Sequence, residues 1–423
     1  MPAMSKKTAD TRSLAEQLEP AALERFQRYV QFDTQSREGQ PSPSSPGQIR
    51  LGKRLVKELQ ALELEDVHQD KFGIVTATLA GSKKRSAVLG LLAHLDTSPA
   101  ASGKGVKPRL LRSYDGSRIE FPADPSLSLD PADDDELRAC LGHDLVFTQG
   151  DTLLGADDKA GIAAILSAVQ YLVQHPKLPR PRLRLAFTPD EEIAGGVKHL
   201  DLTEFGAEAA YTFDGGGAGI VEAESFSADR AVLRVHGKSA HPGMAGAQLV
   251  NALRVAARFV ALIDIPPPER SSGREGFVHP YTMQGGEESA EVALILRSFD
   301  ESELRTQERL LTEIARQAAQ IEPRATFEME VQPQYRNMAA KLSEHPHVAE
   351  RAREAIARAG LTPTDGLIRG GTDGSMLTER GLPCPNLSSG QHRIHSTREW
   401  LCARELGQSA EVAIHLAAIW AGH

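Results

Sequence analysis

Apolar and polar positions follow two periods along the first 225 residues. "AALERFQRYVQF" and "IRLGKRLVKELQALEL" carry apolar residues at helical spacing. "GIVTATLA" and "SAVLGLLAHLD" read as strands, the second nearly all apolar and therefore central. "RLRLAFT" alternates Leu183, Leu185 and Phe187 and predicts another strand. "KAGIAAILSAVQYLVQH" predicts a helix with Ile162, Ile165, Leu166, Val169, Leu172 and Val173 on one face. Alternating strands and helices imply an α/β domain with a largely parallel sheet.

The pattern breaks twice. Residues 100–150 are rich in Pro, Asp and Ser without a sustained period, and predict a long surface excursion with a small hairpin. From 228 to about 338 the order is strand ("RAVLRVHG"), helix ("LVNALRVAARFVALID"), two paired strands ("GFVHPYTMQGGEE", "EVALILRSFD"), helix ("ESELRTQERLLTEIARQAAQI") and strand ("ATFEMEVQPQY"). That βαββαβ order is the ferredoxin-like split unit. Helical patterns return in "HPHVAERAREAIARAG" and "REWLCARELGQSAEVAIHLAAIWAG". The expected division is an N-terminal extension (1–20), a first catalytic part (21–226), an inserted lid or dimerisation domain (227–338) and a second catalytic part (339–423).

Composition narrows the class. The chain has 423 residues and a net charge of -9, so a basic nucleic-acid surface is not indicated. Three scattered cysteines suggest neither a disulfide framework nor a CxxC zinc site, and point to a reducing cytoplasm. No apolar run is long enough for a membrane span, and the first 20 residues lack a signal-peptide core.

The strand of residues 182–188 runs into Asp190, Glu191 and Glu192. Three adjacent carboxylates at a strand end repel one another; by itself the stretch reads as a solvated acidic turn, and a bound cation is the other way to resolve the conflict. Four more segments put polar groups at strand ends, where open α/β sheets bind ligands. His94 and Asp96 alternate, so they share a face. Asp157 and Asp158 precede a helix, Asp214 precedes three glycines, and His392 and His395 lie in "SSGQHRIHSTREW". Singly, each has an ordinary reading: a core histidine, a helix cap, a turn residue or a surface group. Together, His, Asp, Glu, Asp and His form a ligand set suited to zinc, cobalt or manganese.

On these residues the chain resembles the M20 metallopeptidases. "YVQFDTQS", "HLDTSPA", "GDTLLGADDKAGIA", "TPDEEIAGG", "YTFDGGG", "HPGMAG", "VNAL", "RGGTDGS" and "HSTREW" run in the family's order from about residue 20 to the C-terminus. The resemblance implies a zinc-peptidase-like mixed sheet sandwiched by helices, with the inserted ferredoxin-like unit as a lid. It implies two divalent ions, zinc first and cobalt or manganese as alternatives, held by His94, Asp157, Glu192, Asp214 and His395. Asp157 would bridge ions roughly 3.5–4 Å apart and join Asp158 through a cis peptide. His94 and Glu192 would complete one position, and Asp214 or His395 the other.

Glu191 would be the general base, and Asp96 would orient His94. Asp190 has no assigned task and reads as solvated or capping. His241, Arg369, Asn251, Arg297 and Gly371 would contact substrate. The activity implied is a cytoplasmic aminopeptidase that releases the N-terminal residue from short peptides, tripeptides above all. Nucleic acid and membrane are not expected as partners; a homodimer through the inserted domain is. A dipeptidase, carboxypeptidase or N-acyl amino acid deacylase of the same family, or an inactive peptide-binding protein, is the rival reading.

Overall fold

A computed structural model describes residues 12–83, 87–243 and 248–422. Residues 1–11 of the expected extension and 244–246 of "HPGMAG" lie outside the described residues. The chain divides into two units. One comprises 1–223, 341–366 and 376–423, and the other 224–340 and 367–375. The "RGGTDGS" stretch, residues 369–375, therefore groups with the inserted unit, although the sequence pattern put it in the second catalytic part.

The first unit is built on an eight-stranded mixed sheet. Its strands are β1 (Glu65–Gln69), β2 (Val75–Leu79), β3 (Val88–His94), β4 (Arg182–Thr188), β5 (Ala209–Gly215), β6 (Ile220–Ser225), β7 (Thr364–Ile368) and β8 (Asn386–Ser388). The spatial order is β1-β2-β4-β3-β5-β8-β6-β7. The four strands β4, β3, β5 and β8 run parallel, and antiparallel pairs flank them. β3 is apolar on both faces because both are covered. Leu89, Leu91 and Ala93 enter the main core, while Leu92 enters a second core with Ala186, Phe205 and Leu377.

Three helices matter for the site and its support: α1 (Leu14–Tyr29), α2 (Ala156–Gln174) and α3 (Ala403–Trp420). α2 packs on β3 and β5, and α1 and α3 pack against it. α1 starts inside the stretch expected as an extension. A Ser13–Glu16 capping box opens it, and Ala15, Leu18, Ala22 and Phe26 are buried.

Two further readings change. Trp400–Cys402 is a strand, not the first turn of the last helix, because it pairs with Leu145–Phe147 of the excursion. The excursion itself is not merely surface: Tyr114, Phe121, Leu137, Cys140 and Phe147 form a core with Trp400 and Cys402.

The inserted unit has the expected βαββαβ order. Strands Phe277–Gly285, Ser289–Ser298, Ser227–His236 and Thr326–Tyr335 lie side by side, all antiparallel. Helices Ala252–Leu262 and Glu301–Ala319 bury Val255, Phe259, Leu304 and Leu311 against the sheet.

Candidate metal centre

Strand register sets the site. His94 is level with Thr188, and Leu92 with Thr212, so β3, β4 and β5 end together. His94 closes β3, Asp214 lies near the end of β5, and the acidic triplet follows β4. The N-terminus of α2 brings Asp157 to the same edge, and the loop between Gln391–His392 and Trp400–Cys402 brings His395.

These five side chains form one chain of contacts. His94 Nε2 is 2.8 Å from Asp157 Oδ1 and 3.7 Å from Asp214 Oδ1. His395 Nε2 is 3.0 Å from Asp157 Oδ2 and 2.8 Å from Glu192 Oε2. Each oxygen of Asp157 thus faces a different imidazole. Asp214 is the neighbour of His94, and Glu192 of His395, whereas the sequence reading grouped His94 with Glu192. One ligand atom each from His94, Asp157 and Glu192 still lies within 4.8 Å of the others. Asp158 follows through a cis peptide, but its carboxylate accepts from the His94 and Gly161 main chain.

Burial and like charge dominate the electrostatics. Burial, with the Asp157 charge second, pushes Glu192 up to about 7. The same two causes raise Asp214 well above the carboxylate range. Burial works against ionisation of Asp157 too, but its two imidazoles hold it well below that range. Burial opposes charge on His395, yet Asp157 and Glu192 lift it to about 11. His94 is raised in the same way, against burial, by hydrogen bonds to Asp157 and Asp96.

The cluster therefore calls for positive charge among its carboxylates. Glu192 Oε1 is buried and accepts no hydrogen bond. Three carboxylates and two imidazoles with an unengaged oxygen fit a pair of hard-to-borderline divalent ions.

The support is equally specific. Asp96 Oδ1 accepts from Glu191 N–H at 3.0 Å and Oδ2 from Glu192 N–H at 3.2 Å. Its Oδ1 is also 3.4 Å from His94 Nδ1, whose closer partner is the Asp96 carbonyl at 3.1 Å. One residue thus holds the acidic loop and orients His94. Asp190 is buried, not solvated. Its carboxylate accepts from Ser44 N–H and Oγ–H and from Gln48 Nε2, and its carbonyl accepts from Gly195 N–H at 2.7 Å.

Glu399 was not singled out from the sequence. It is buried and accepts four main-chain N–H bonds, from Leu154, Gly155, Ala156 and Asp157.

A family model described as peptidase family M20/M25/M40 matches residues 152–418. The chain belongs to that family. Peptidase T of Geobacillus kaustophilus (strain HTA426) is 41% identical over 397 residues, covering 93% of this chain and 97% of that protein. In fold, the chain resembles aminopeptidase PepT from Bacillus cereus ATCC 10987, with a TM-score of 0.73 at 23% identity over 96% of this chain and 99% of that one. It also resembles the Bacillus subtilis YXEP protein, a dinuclear metal binding peptidase from the M20 family, with a TM-score of 0.64 at 16% identity over 96% and 98% of the two chains.

In this M20/M25/M40 chain the expected substrate contacts fall outside the cluster's own unit. His241 is exposed. Asn251 caps helix Ala252–Leu262, its Oδ1 accepting from Arg254 N–H at 3.2 Å. Arg369 donates to the Gly273 and Glu275 carbonyls and to Ser271 Oγ, and lies over Phe226. These donors hold the 271–275 loop. Arg297 lies over Tyr335 and donates to the Leu296 carbonyl. A Cβ on Gly371 would come within 2.7 Å of the Tyr335 ring, so close packing already requires glycine there.

His392 is no ligand of the cluster. It stacks on Trp400 and bridges Glu136 (2.9 Å) and Glu405 (2.6 Å). Burial lowers its basicity, but the two carboxylates win and lift it to about 9. A raised folded value means stabilisation that is complete below the ordinary histidine range and lost as pH rises through about 9. Thermal melts of wild type should therefore fall in Tm between about pH 6.5 and pH 9. In His392→Gln this part of the slope should vanish, and an unchanged slope would contradict the assignment.

Proposed function

We propose that this hydrolase is a metal-dependent aminopeptidase that removes the N-terminal residue from short peptides, tripeptides first. The observation that carries the reading is the Asp157 carboxylate placed between two imidazoles, each backed by another carboxylate. Near-full-length similarity to peptidase T supports the substrate class.

In this reading His94, Asp157 and Asp214 hold one divalent ion, and Asp157, Glu192 and His395 the other. When bound, the ions supply Lewis acidity and lower the pKa of water toward neutrality. Glu191 takes a proton from the attacking water and returns it to the leaving amine nitrogen as the C–N bond breaks. Asp96 keeps Glu191 in register through its N–H. Carboxylates of the cluster also supply the negative field that a free α-ammonium group needs.

Zinc is the ion favoured by the imidazole content, with cobalt and manganese as alternatives. A cytoplasmic location is supported by three free, buried cysteines. No helix among the described residues is long and apolar enough to cross a membrane. A homodimer through the inserted unit is supported by an edge strand that exposes Tyr281 and Met283.

The test is a panel of alanine di-, tri- and tetrapeptides with and without N-acetylation, assayed with metal restored. The free tripeptide should be cleaved best, and acetylation should lower kcat/KM by about 10²-fold or more. Comparable cleavage of acetylated peptides would favour the deacylase and carboxypeptidase readings instead.

A further inference from the structure

We infer that Glu399 is a positioning residue of the metal centre: it fixes the main chain that presents Asp157, and does so from the segment that presents His395. The inference rests on the metal-centre reading above.

Asp157 and Asp158 have non-helical backbone angles, so regular helix geometry starts only after them. The N–H groups of 154–157 precede that geometry and need an acceptor from elsewhere. Glu399 Oε2 accepts from Leu154 and Gly155, both at 2.7 Å. Oε1 accepts from Ala156 at 2.7 Å and Asp157 at 3.1 Å. Gly155, at φ +79°, turns the main chain so that the four donors converge. Burial pushes the group up to about 7, against the two donors on each oxygen, which favour the ionised form. Buried Lys159, one turn into α2, lies close enough to feel its charge.

The segment carrying Glu399 is rigid from behind. Trp400–Cys402 pairs with Leu145–Phe147, Trp400 lies under His392, and Glu399 N–H closes a turn onto the Ser396 carbonyl. His395, the residue just before that turn, has φ +59° and meets Asp157 at 3.0 Å. One short segment thus supplies a ligand and clamps the ligand facing it. Because Asp157 serves both metal positions, an error in its placement is felt at both.

Glu399→Gln tests this in the full chain. The amide presents NH₂ to two main-chain donors and carries no charge. After chelator treatment, zinc titrated into the variant should bind both positions about 10–100-fold more weakly than in wild type. In the metal-free protein, amides 154–157 should exchange faster. With metal restored, kcat should fall while KM changes little. Leu55→Ala, which truncates a fully buried side chain of the main core that makes none of the cluster's contacts, is the control: it should lower Tm without weakening zinc binding.

Wild-type zinc affinity and unchanged amide protection in Glu399→Gln would overturn the inference. If that variant does not fold, Glu399→Asp decides: intermediate weakening supports the inference, and wild-type affinity overturns it. Absence of zinc binding by wild type would defeat the metal-centre reading, while amide exchange in the metal-free protein would still decide whether Glu399 is the anchor.

Discussion

Glu191→Gln is expected to lower kcat for tripeptide hydrolysis by about 10²–10⁴-fold, the range assigned to a positioned general base. The amide is isosteric but cannot accept a proton at neutral pH. Its main-chain N–H donates to Asp96, a contact the substitution keeps. Metal content should therefore stay at the wild-type value, and Tm should change little. The separation of the two readouts is the informative part. A loss of activity together with metal would assign Glu191 to the metal shell. A kcat within a few-fold of wild type would assign the base to another group.

Asp157→Asn is expected to weaken both metal positions at once. The carboxylate is the shared element, with one oxygen 2.8 Å from His94 and the other 3.0 Å from His395. An amide retains one acceptor oxygen and sets an NH₂ group against the other position. Affinity at both positions should fall by more than about 10²-fold, since even outer partners of a metal site act on the 10–100-fold scale. The metal-free variant carries a second signature. Asp157 helps raise the basicity of both imidazoles, against their burial. Proton titration followed by NMR should therefore show His94 and His395 both moving down. Loss of one ion with the other retained would mean that Asp157 serves a single position.

Four of the five expected ligands were legible because each sits at or just beyond the end of a strongly patterned element; His395, on a loop, was legible only through the "HSTREW" resemblance. β3 is almost wholly apolar until His94, and the period-two rule puts Asp96 on the same face. α2 has a clear buried face, which placed Asp157 at its start. The residues that hold those ligands carry no such signal. In the acidic triplet, nothing local separates Asp190 from its neighbours. Its burial depends on Ser44 and Gln48, more than 140 positions earlier.

Glu399 is hidden for the same reason, since its donors lie over 240 positions upstream. The "REWLC" stretch is compatible with a helix until Leu145–Phe147 is present to pair with it. Arg369 also makes contacts that no local pattern shows: it donates to the Gly273 and Glu275 carbonyls, more than 90 positions earlier. Local pattern encodes which elements form; long-range pairing decides which polar groups are left for chemistry.

The number of divalent ions per chain tests the central claim most directly. Purified wild-type protein, stripped with chelator and dialysed against zinc, should hold two ions per chain by elemental analysis. Tripeptide hydrolysis should disappear with the ions and return with them. A protein that hydrolyses tripeptides while metal-free, or that holds no divalent ion at saturating zinc, would contradict it.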